Sequence, residues 1–230
     1  MQLPSEVPVM TLPDAILFPQ SMLPLHIFER RYRQMLSDAL RTHRMFTVAM
    51  RKPGRRREIP SNIAGLGLIR ASVVNKDGTS HLILQGLARV ELAETLQYKP
   101  YRVQKIRPLE TTGQDSVVVD ALTAKVLELV AERLEQGFEL PIQVIKTLGQ
   151  IDGADQPNEQ SKFSLKEVLQ YLVKLENPDY LADLVSCTLL PDALERQTIL
   201  ETPHLETRLK LLLQFLIAEI RRNQKKLKNE

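Results

Sequence analysis

Near Thr111-Thr112-Gly113 the apolar residues of this chain stop recurring at every second position and begin recurring at every third and fourth. A period of two suits a strand with one face on a core, and a period near 3.6 suits an amphipathic helix. A chain that carries first one and then the other is expected to be α+β, with strands and helices segregated. The expected division is a β part with one helix over residues 1–112, and a helical part over 113–230 ending in a long C-terminal helix.

In the first part, Val7–Leu12 reads as a short strand whose Pro8 suits an edge position. Leu66–Val74 reads as a longer strand, and Asn75-Lys76-Asp77-Gly78 supplies hairpin turn chemistry before the return strand Ser80–Gln85. Gly86 interrupts that strand as a bulge or bend before Ala88–Leu92. Tyr101–Ile106 alternates as a half-buried strand. Between Glu29 and Leu40 the spacing of Tyr32, Met35, Leu36, Ala39 and Leu40 predicts a helix.

In the second part, Val119, Leu122, Val126, Leu129 and Val130 mark one long helix. Ser164 with Glu167 reads as a capping box opening a helix over 165–175, and 152–159 reads as a loop. Asn177-Pro178 is a cap followed by a proline in the first helical turn, and Thr202-Pro203 repeats the pattern. Leu205, Leu209, Leu212, Leu216 and Ile220 form one stripe on the last helix, which then turns basic from Arg221 to Lys228. The layout is a small β barrel or sandwich followed by a helical bundle.

The composition limits the chemistry. A single cysteine, Cys187, excludes an internal disulfide and a multi-cysteine zinc site, and its apolar surroundings suit a small buried thiol. No Gly-Lys dipeptide is present for a phosphate loop, and Gly65-Leu66-Gly67 leads into a strand where a dinucleotide fingerprint needs a helix. His26, His43, His81 and His204 are scattered. Ser164 beside Lys166 is accounted for as a cap, and Asp152 with Asp155 lacks the alternating oxygen ligands and glycine of a calcium loop. The expectation is no catalytic residue, no metal and no cofactor. The N-terminus lacks the basic start and apolar run of a signal peptide, and no stretch approaches a membrane span, so a cytoplasmic protein without a membrane partner is expected. The net charge of +3 conceals an asymmetry: residues 1–110 hold seventeen Lys and Arg against nine Asp and Glu.

The stretch from Leu12 to Tyr32 is the most informative. Pro13, Pro19 and Pro24 fix extended backbone and remove amide donors, so the segment reads as a rigid loop packing Phe18, Leu23, Leu25 and Phe28 into the core. Its Leu17-Phe18-Pro19-Gln20 and Leu23-Pro24-Leu25-His26-Ile27-Phe28-Glu29, followed by Arg31-Tyr32, resemble the opening of the Lon protease amino-terminal, substrate-binding domain. Ala64–Ile69, Leu84–Val90, Leu181–Leu184, Arg196–Glu201 and Arg208–Leu212 are similar to later segments of that family in the same order. Two residues depart from its pattern: Gln20 stands where the family usually has glycine, which puts a positive-φ turn there in doubt, and Arg30 stands where proline is common.

The resemblance implies a PUA-like β-barrel or pseudo-barrel followed by an α-helical bundle. It also implies a non-catalytic module for unfolded or tagged polypeptides, with a protease as a candidate partner. Since the sequence stops at Glu230, the expectation is a stand-alone domain without the ATPase and peptidase of full Lon enzymes, monomeric or weakly dimeric. Candidate peptide contacts are Phe18, Met22, Phe28 and Tyr32 on an exposed apolar patch. The alternative is a nucleic-acid or anion contact through Arg51, Lys52, Arg55, Arg56 and Arg57, five cations in seven residues on a predicted loop. Against that alternative, aromatics make up only 5% of the chain and tryptophan is missing, so base-stacking platforms are few.

Overall fold

A computed structural model describes residues 2–114, 116–136 and 172–227. The capping box at Ser164 and Glu167 and the loop over 152–159 lie outside the described residues. The protein is α+β and divides into two compact units, one of residues 1–110 with 196–203, the other of residues 111–195 with 204–230. Residues 196–203 carry no local sign that they belong with the strands, because they fall inside the part of the sequence that reads as helical.

The first unit is built on six strands: β1 (Glu6–Leu12), β2 (Met22–Ile27), β3 (Met45–Met50), β4 (Ile63–Val74), β5 (Ser80–Gln97) and β6 (Arg102–Pro108). They form one sheet in the order β2-β5-β4-β3-β1-β6, and a further β5–β6 pairing closes five of them into a barrel. The closure is possible because β5 is 18 residues long. Its first half pairs with β2 and its second half with β6, both antiparallel. The helix α1 (Arg30–Arg41) buries Tyr32, Met35, Leu36 and Ala39 against the sheet.

Three sequence expectations change here. β1 is an interior strand, not an edge strand. Pro8 is accommodated because its stretch pairs with β6 alone, the parallel ladder to β3 beginning only at Val9. β2 is a strand where a loop was expected, and it is outermost in the sheet, the position a strand proline tolerates. β3 escaped the sequence reading because all six of its residues are buried, which removes the alternation that marks a strand. The bulge at Gly86 is present: Leu66 pairs with Ala88 and Gly67 with Gly86, leaving Leu87 as the extra residue.

The second unit contains α2 (Val117–Glu135), α3 (Pro178–Leu189), the first three residues of α4 (Ala193–Leu200), and α5 (Leu205–Leu227). Ser116 caps α2 by accepting the amide of Val118, and Asn177 caps α3 by accepting the amides of Asp179 and Tyr180. The last helix starts at Leu205 and not at Pro203, and the Thr202 hydroxyl donates back to the carbonyl of Thr198. The α5 stripe Leu205, Leu209, Leu212, Leu216 and Ile220 is buried as its spacing predicts. Beside it the fully buried Arg208 donates to Asp179, to Asp183 at 3.3 Å and to Thr111 at 3.3 Å. This ion group joins α3, α5 and the entry to the unit.

Candidate functional site

The first unit places an exposed apolar surface on β2 and its neighbours, and the turn before β2 determines which side chains reach it. Gln20 has φ of 63°, so the turn that a glycine would make is made by glutamine. Two bonds hold it: the Gln20 amide donates to the Gly86 carbonyl at 2.8 Å, and the Gly86 amide donates to the Ser21 carbonyl at 2.9 Å. Ser21 also donates its hydroxyl to the Phe18 carbonyl at 2.7 Å. Gly86 is required because a Cβ there would lie 1.9 Å from the Phe18 carbonyl oxygen.

From this anchor the register is uninterrupted, Met22 opposite Gln85 through to Ile27 opposite Ser80. Side chains alternate across a strand, so Leu23, Leu25 and Ile27 turn toward the core with Leu84 and Leu82. Met22, Pro24 and His26 turn outward beside Ile83 and His81, and Ala71 and Val73 of β4 continue that face. The His26 and His81 rings stack at 4.5 Å between centroids, and Phe28 lies 5.7 Å from His26 at 41°. Pro24, His26, Val73, His81 and Ile83 border an open depression of about 450 Å³. A monomeric soluble domain rarely leaves so many large apolar groups together in water.

The four candidate peptide contacts therefore separate. Phe28 is 62% exposed and Met22 38% exposed, both on this face. Phe28 thus departs from the expectation that it would fill the core. Phe18 is 0% exposed and Tyr32 is 4% exposed, so neither reaches a ligand. Phe18 is enclosed because its turn folds back over Gly86. Tyr32 points inward from α1, where its hydroxyl accepts from the Thr11 amide at 3.1 Å and donates to the Thr11 carbonyl at 3.2 Å. Burial pushes its phenol up to about 12.

The sequence reading missed Pro24, His26, Val73, His81 and Ile83. One signal was available. Leu82-Ile83-Leu84 is apolar at three consecutive positions, which on a strand must send one large apolar group to the side away from the core.

The basic segment is the connection between β3 and β4. Arg51, Arg55, Arg56 and Arg57 are exposed and Lys52 is half-buried. Arg51 donates to the Arg55 carbonyl at 3.1 Å and Lys52 to Asn62 at 2.8 Å. Among the described residues none of these five cations has a carboxylate partner. The adjacent Glu58 is engaged instead by Arg31, through two bonds of 3.0 and 2.8 Å. Those bonds, Glu58 first, hold the Arg31 guanidinium above its ordinary range.

Among the described residues no three His, Cys, Asp or Glu side chains converge as metal ligands, and no helix is long and apolar enough to cross a membrane.

Comparison with known proteins places this geometry. The family model of the ATP-dependent protease La (Lon) substrate-binding domain matches residues 6–218. Lon protease of Dictyoglomus thermophilum is 23% identical over 221 residues, covering 95% of this chain and 25% of that protein. Lon protease of Anaeromyxobacter dehalogenans is 26% identical over 220 residues, covering 93% of this chain and 23% of that protein. The chain thus spans about a quarter of the length of these curated relatives. Among solved structures, the N-terminal domain of Mycobacterium avium complex Lon protease superposes with a TM-score of 0.65 at 16% identity, covering 92% of this chain and 97% of that one. A Lon N-terminal domain protein from Xanthomonas campestris gives 0.61 at 19% identity, covering 91% and 98%.

Proposed function

Because this chain belongs to the ATP-dependent protease La (Lon) substrate-binding domain family, we propose that it recognises unfolded polypeptide through the outward face of β2, β5 and β4, holding or delivering it without catalysing a reaction. The observation that carries this reading is the exposure of Met22, Phe28, Val73 and Ile83 together on one sheet face. Apolar surface left in water is a standing source of binding free energy, and apolar segments are what an unfolded chain offers. Burying the exposed part of Phe28 is worth about 1–2 kcal/mol, or roughly a 5–30-fold change in affinity. The test is fluorescence anisotropy with a labelled unfolded polypeptide, using the whole chain and its Phe28→Ser and Ile83→Ser variants. Each variant is expected to bind at least fivefold more weakly while its melting temperature stays within a few degrees. Unchanged affinity in both variants would remove the face from the reading.

A second reading, nucleic-acid binding, is favoured by the basic connection Arg51–Arg57, whose cations lack carboxylate partners among the described residues. It requires RNA affinity that falls steeply between ~0.05 M and ~0.2 M salt and is lost in the triple Arg55→Ser, Arg56→Ser, Arg57→Ser variant. Polypeptide binding through the apolar face is expected to lose far less on either change, because burial of apolar surface carries it.

A further inference from the structure

We infer that β2 captures its polypeptide as an added strand, so that the ligand is an extended, apolar, uncharged or acid-flanked segment bound through its backbone. This rests on the polypeptide-binding reading above and specifies how that binding is done. Three observations converge on it. Among the described residues, β2 is the outermost strand of its sheet and pairs with β5 alone. In an antiparallel ladder, residues alternate between positions that bond the neighbour and positions whose amide and carbonyl face away. The bond from the Gly86 amide to the Ser21 carbonyl fixes that alternation, because Ser21 and Gly86 are opposite each other in the same register. Leu23, Leu25 and Ile27 therefore face β5 with their backbone groups, while Met22, Pro24 and His26 turn theirs to the open edge. Pro24 fits the assignment, since it occupies a position where β5 requires no donor. The close stacking of His26 on His81 fits it as well, since side chains approach most closely at the positions that do not bond across the ladder.

The second observation is that the core is unfinished along this edge. Leu23 and Leu25 point inward but remain only half-buried, packed against a cluster that includes Leu82, Leu84 and Met35. A strand added beside β2 would place one set of its side chains against Leu23 and Leu25, and the alternate set beside Met22, Pro24 and Phe28. A ligand apolar at consecutive positions satisfies both faces. Such runs are the segments that a folded protein keeps in its own buried strands.

The third observation is charge. The β part has seventeen Lys and Arg against nine Asp and Glu over residues 1–110, and Arg30, Arg33 and Lys76, on α1 and the β4–β5 turn, are exposed. A ligand flanked by acidic residues is favoured over one flanked by basic residues.

The experiment uses the whole chain and a fluorescein-labelled valine- and isoleucine-rich peptide flanked by glutamates, together with a set of analogues each methylated at one backbone nitrogen. Strand addition is expected to give an alternating pattern. Methylation at every second position should weaken binding by roughly threefold to tenfold, the worth of one backbone hydrogen bond, and methylation between them should do much less. Pro24→Ala, which restores a donor to the open edge, is expected to tighten binding by roughly threefold. His26→Pro, which removes a donor without touching the β5 ladder, is expected to weaken it at an unchanged melting temperature. Uniform losses along the peptide, with Pro24→Ala no tighter than the parent, would overturn strand addition and leave side-chain capture of polypeptide standing. No affinity for any peptide would overturn both. Concentration-dependent dimerisation that excludes the peptide would also overturn it, by making a second copy of the chain the occupant of the edge.

Discussion

Gly86→Ala is the substitution that most directly tests how the proposed binding face is held in place. A Cβ on residue 86 would sit 1.9 Å from the Phe18 carbonyl oxygen, 2.8 Å from the Phe18 carbonyl carbon and 3.3 Å from the Pro19 Cα. All three are backbone atoms, so no side chain can swing aside. A carbon–oxygen contact settles near ~3.3 Å, which requires a displacement of about 1.4 Å between β5 and the turn. The same two segments are joined by the bonds of 2.8 and 2.9 Å through Gln20, Ser21 and Gly86, which that displacement breaks. Overpacking at about 1–3 kcal/mol and two lost hydrogen bonds at about 1 kcal/mol each give a destabilisation of about 3–5 kcal/mol. Gly54→Ala is the control. Gly54 has a φ of 69° with nothing within 4 Å of the added carbon, so only the left-handed backbone is penalised, by about 1–2 kcal/mol. Urea unfolding followed by circular dichroism compares the two. Because the turn sets the start of β2, Gly86→Ala should also lose polypeptide affinity at temperatures where it remains folded, whereas Gly54→Ala should not. A Gly86→Ala variant no less stable than Gly54→Ala, or one with full affinity, would refute the claim that this contact positions the face.

Gln20→Gly relieves a non-glycine residue at φ of 63° and is expected to raise stability by about 0.5–1 kcal/mol, read as a higher urea midpoint at unchanged slope. Arg208→Met removes the guanidinium that bonds the buried Asp183, 2% exposed, and is expected to cost about 3–5 kcal/mol; Arg208→Met combined with Asp183→Leu should recover much of it. Burial raises both Tyr32 and Tyr101 from an ordinary phenol value of 10 to about 12. Since the folded state holds these protons more tightly than the unfolded chain, this stability is fully present below pH 10 and is lost as pH rises from 10 through 12. Phenolate absorbance reads this cleanly in a chain with 5 tyrosines and no tryptophan. Tyr32→Phe should remove amplitude from the part of the titration above about pH 11 and leave the earlier part intact.

The order of strands before helices, α1, α2 and the buried stripe on α5 were all legible, because each rests on a period expressed over ten or more residues. The cap at Asn177 was legible for a local reason: one side chain and the proline after it determine the helix start. What failed depends on contacts distant in sequence. Thr202 has the chemistry of a cap, but the helix starts two residues beyond Pro203 and the hydroxyl turns back to Thr198. Residues 196–203 join the β unit through bonds such as Gln197 to the Ile63 carbonyl at 2.9 Å and Arg196 to the Asp14 carbonyl at 3.3 Å, which no local pattern announces. At the candidate site, the large apolar residues and prolines between Leu12 and Tyr32 drew notice to the right segment, yet exposure divides its candidates into Phe28 and Met22 outside and Phe18 and Tyr32 inside. That division is set by the register of β2 on β5, and a shift of one residue would exchange the two faces.

The features that suit this face to the proposed binding also oppose its pairing with a second copy of itself. An exposed, flat, apolar edge strand is an aggregation site unless something limits it. β2 is limited three times over. It has only six residues, its central Pro24 offers a carbonyl and no amide, and its outward apolar row is interrupted by the stacked pair of His26 and His81. A second β2 laid against the first would bring another donor-deficient strand to an edge already missing a donor, and the cationic surroundings of both copies together. A neutral or acidic extended segment meets neither penalty. Under strand addition the edge would therefore favour foreign polypeptide over its own copy, and the proline that costs it one donor toward any ligand would be part of what keeps it available.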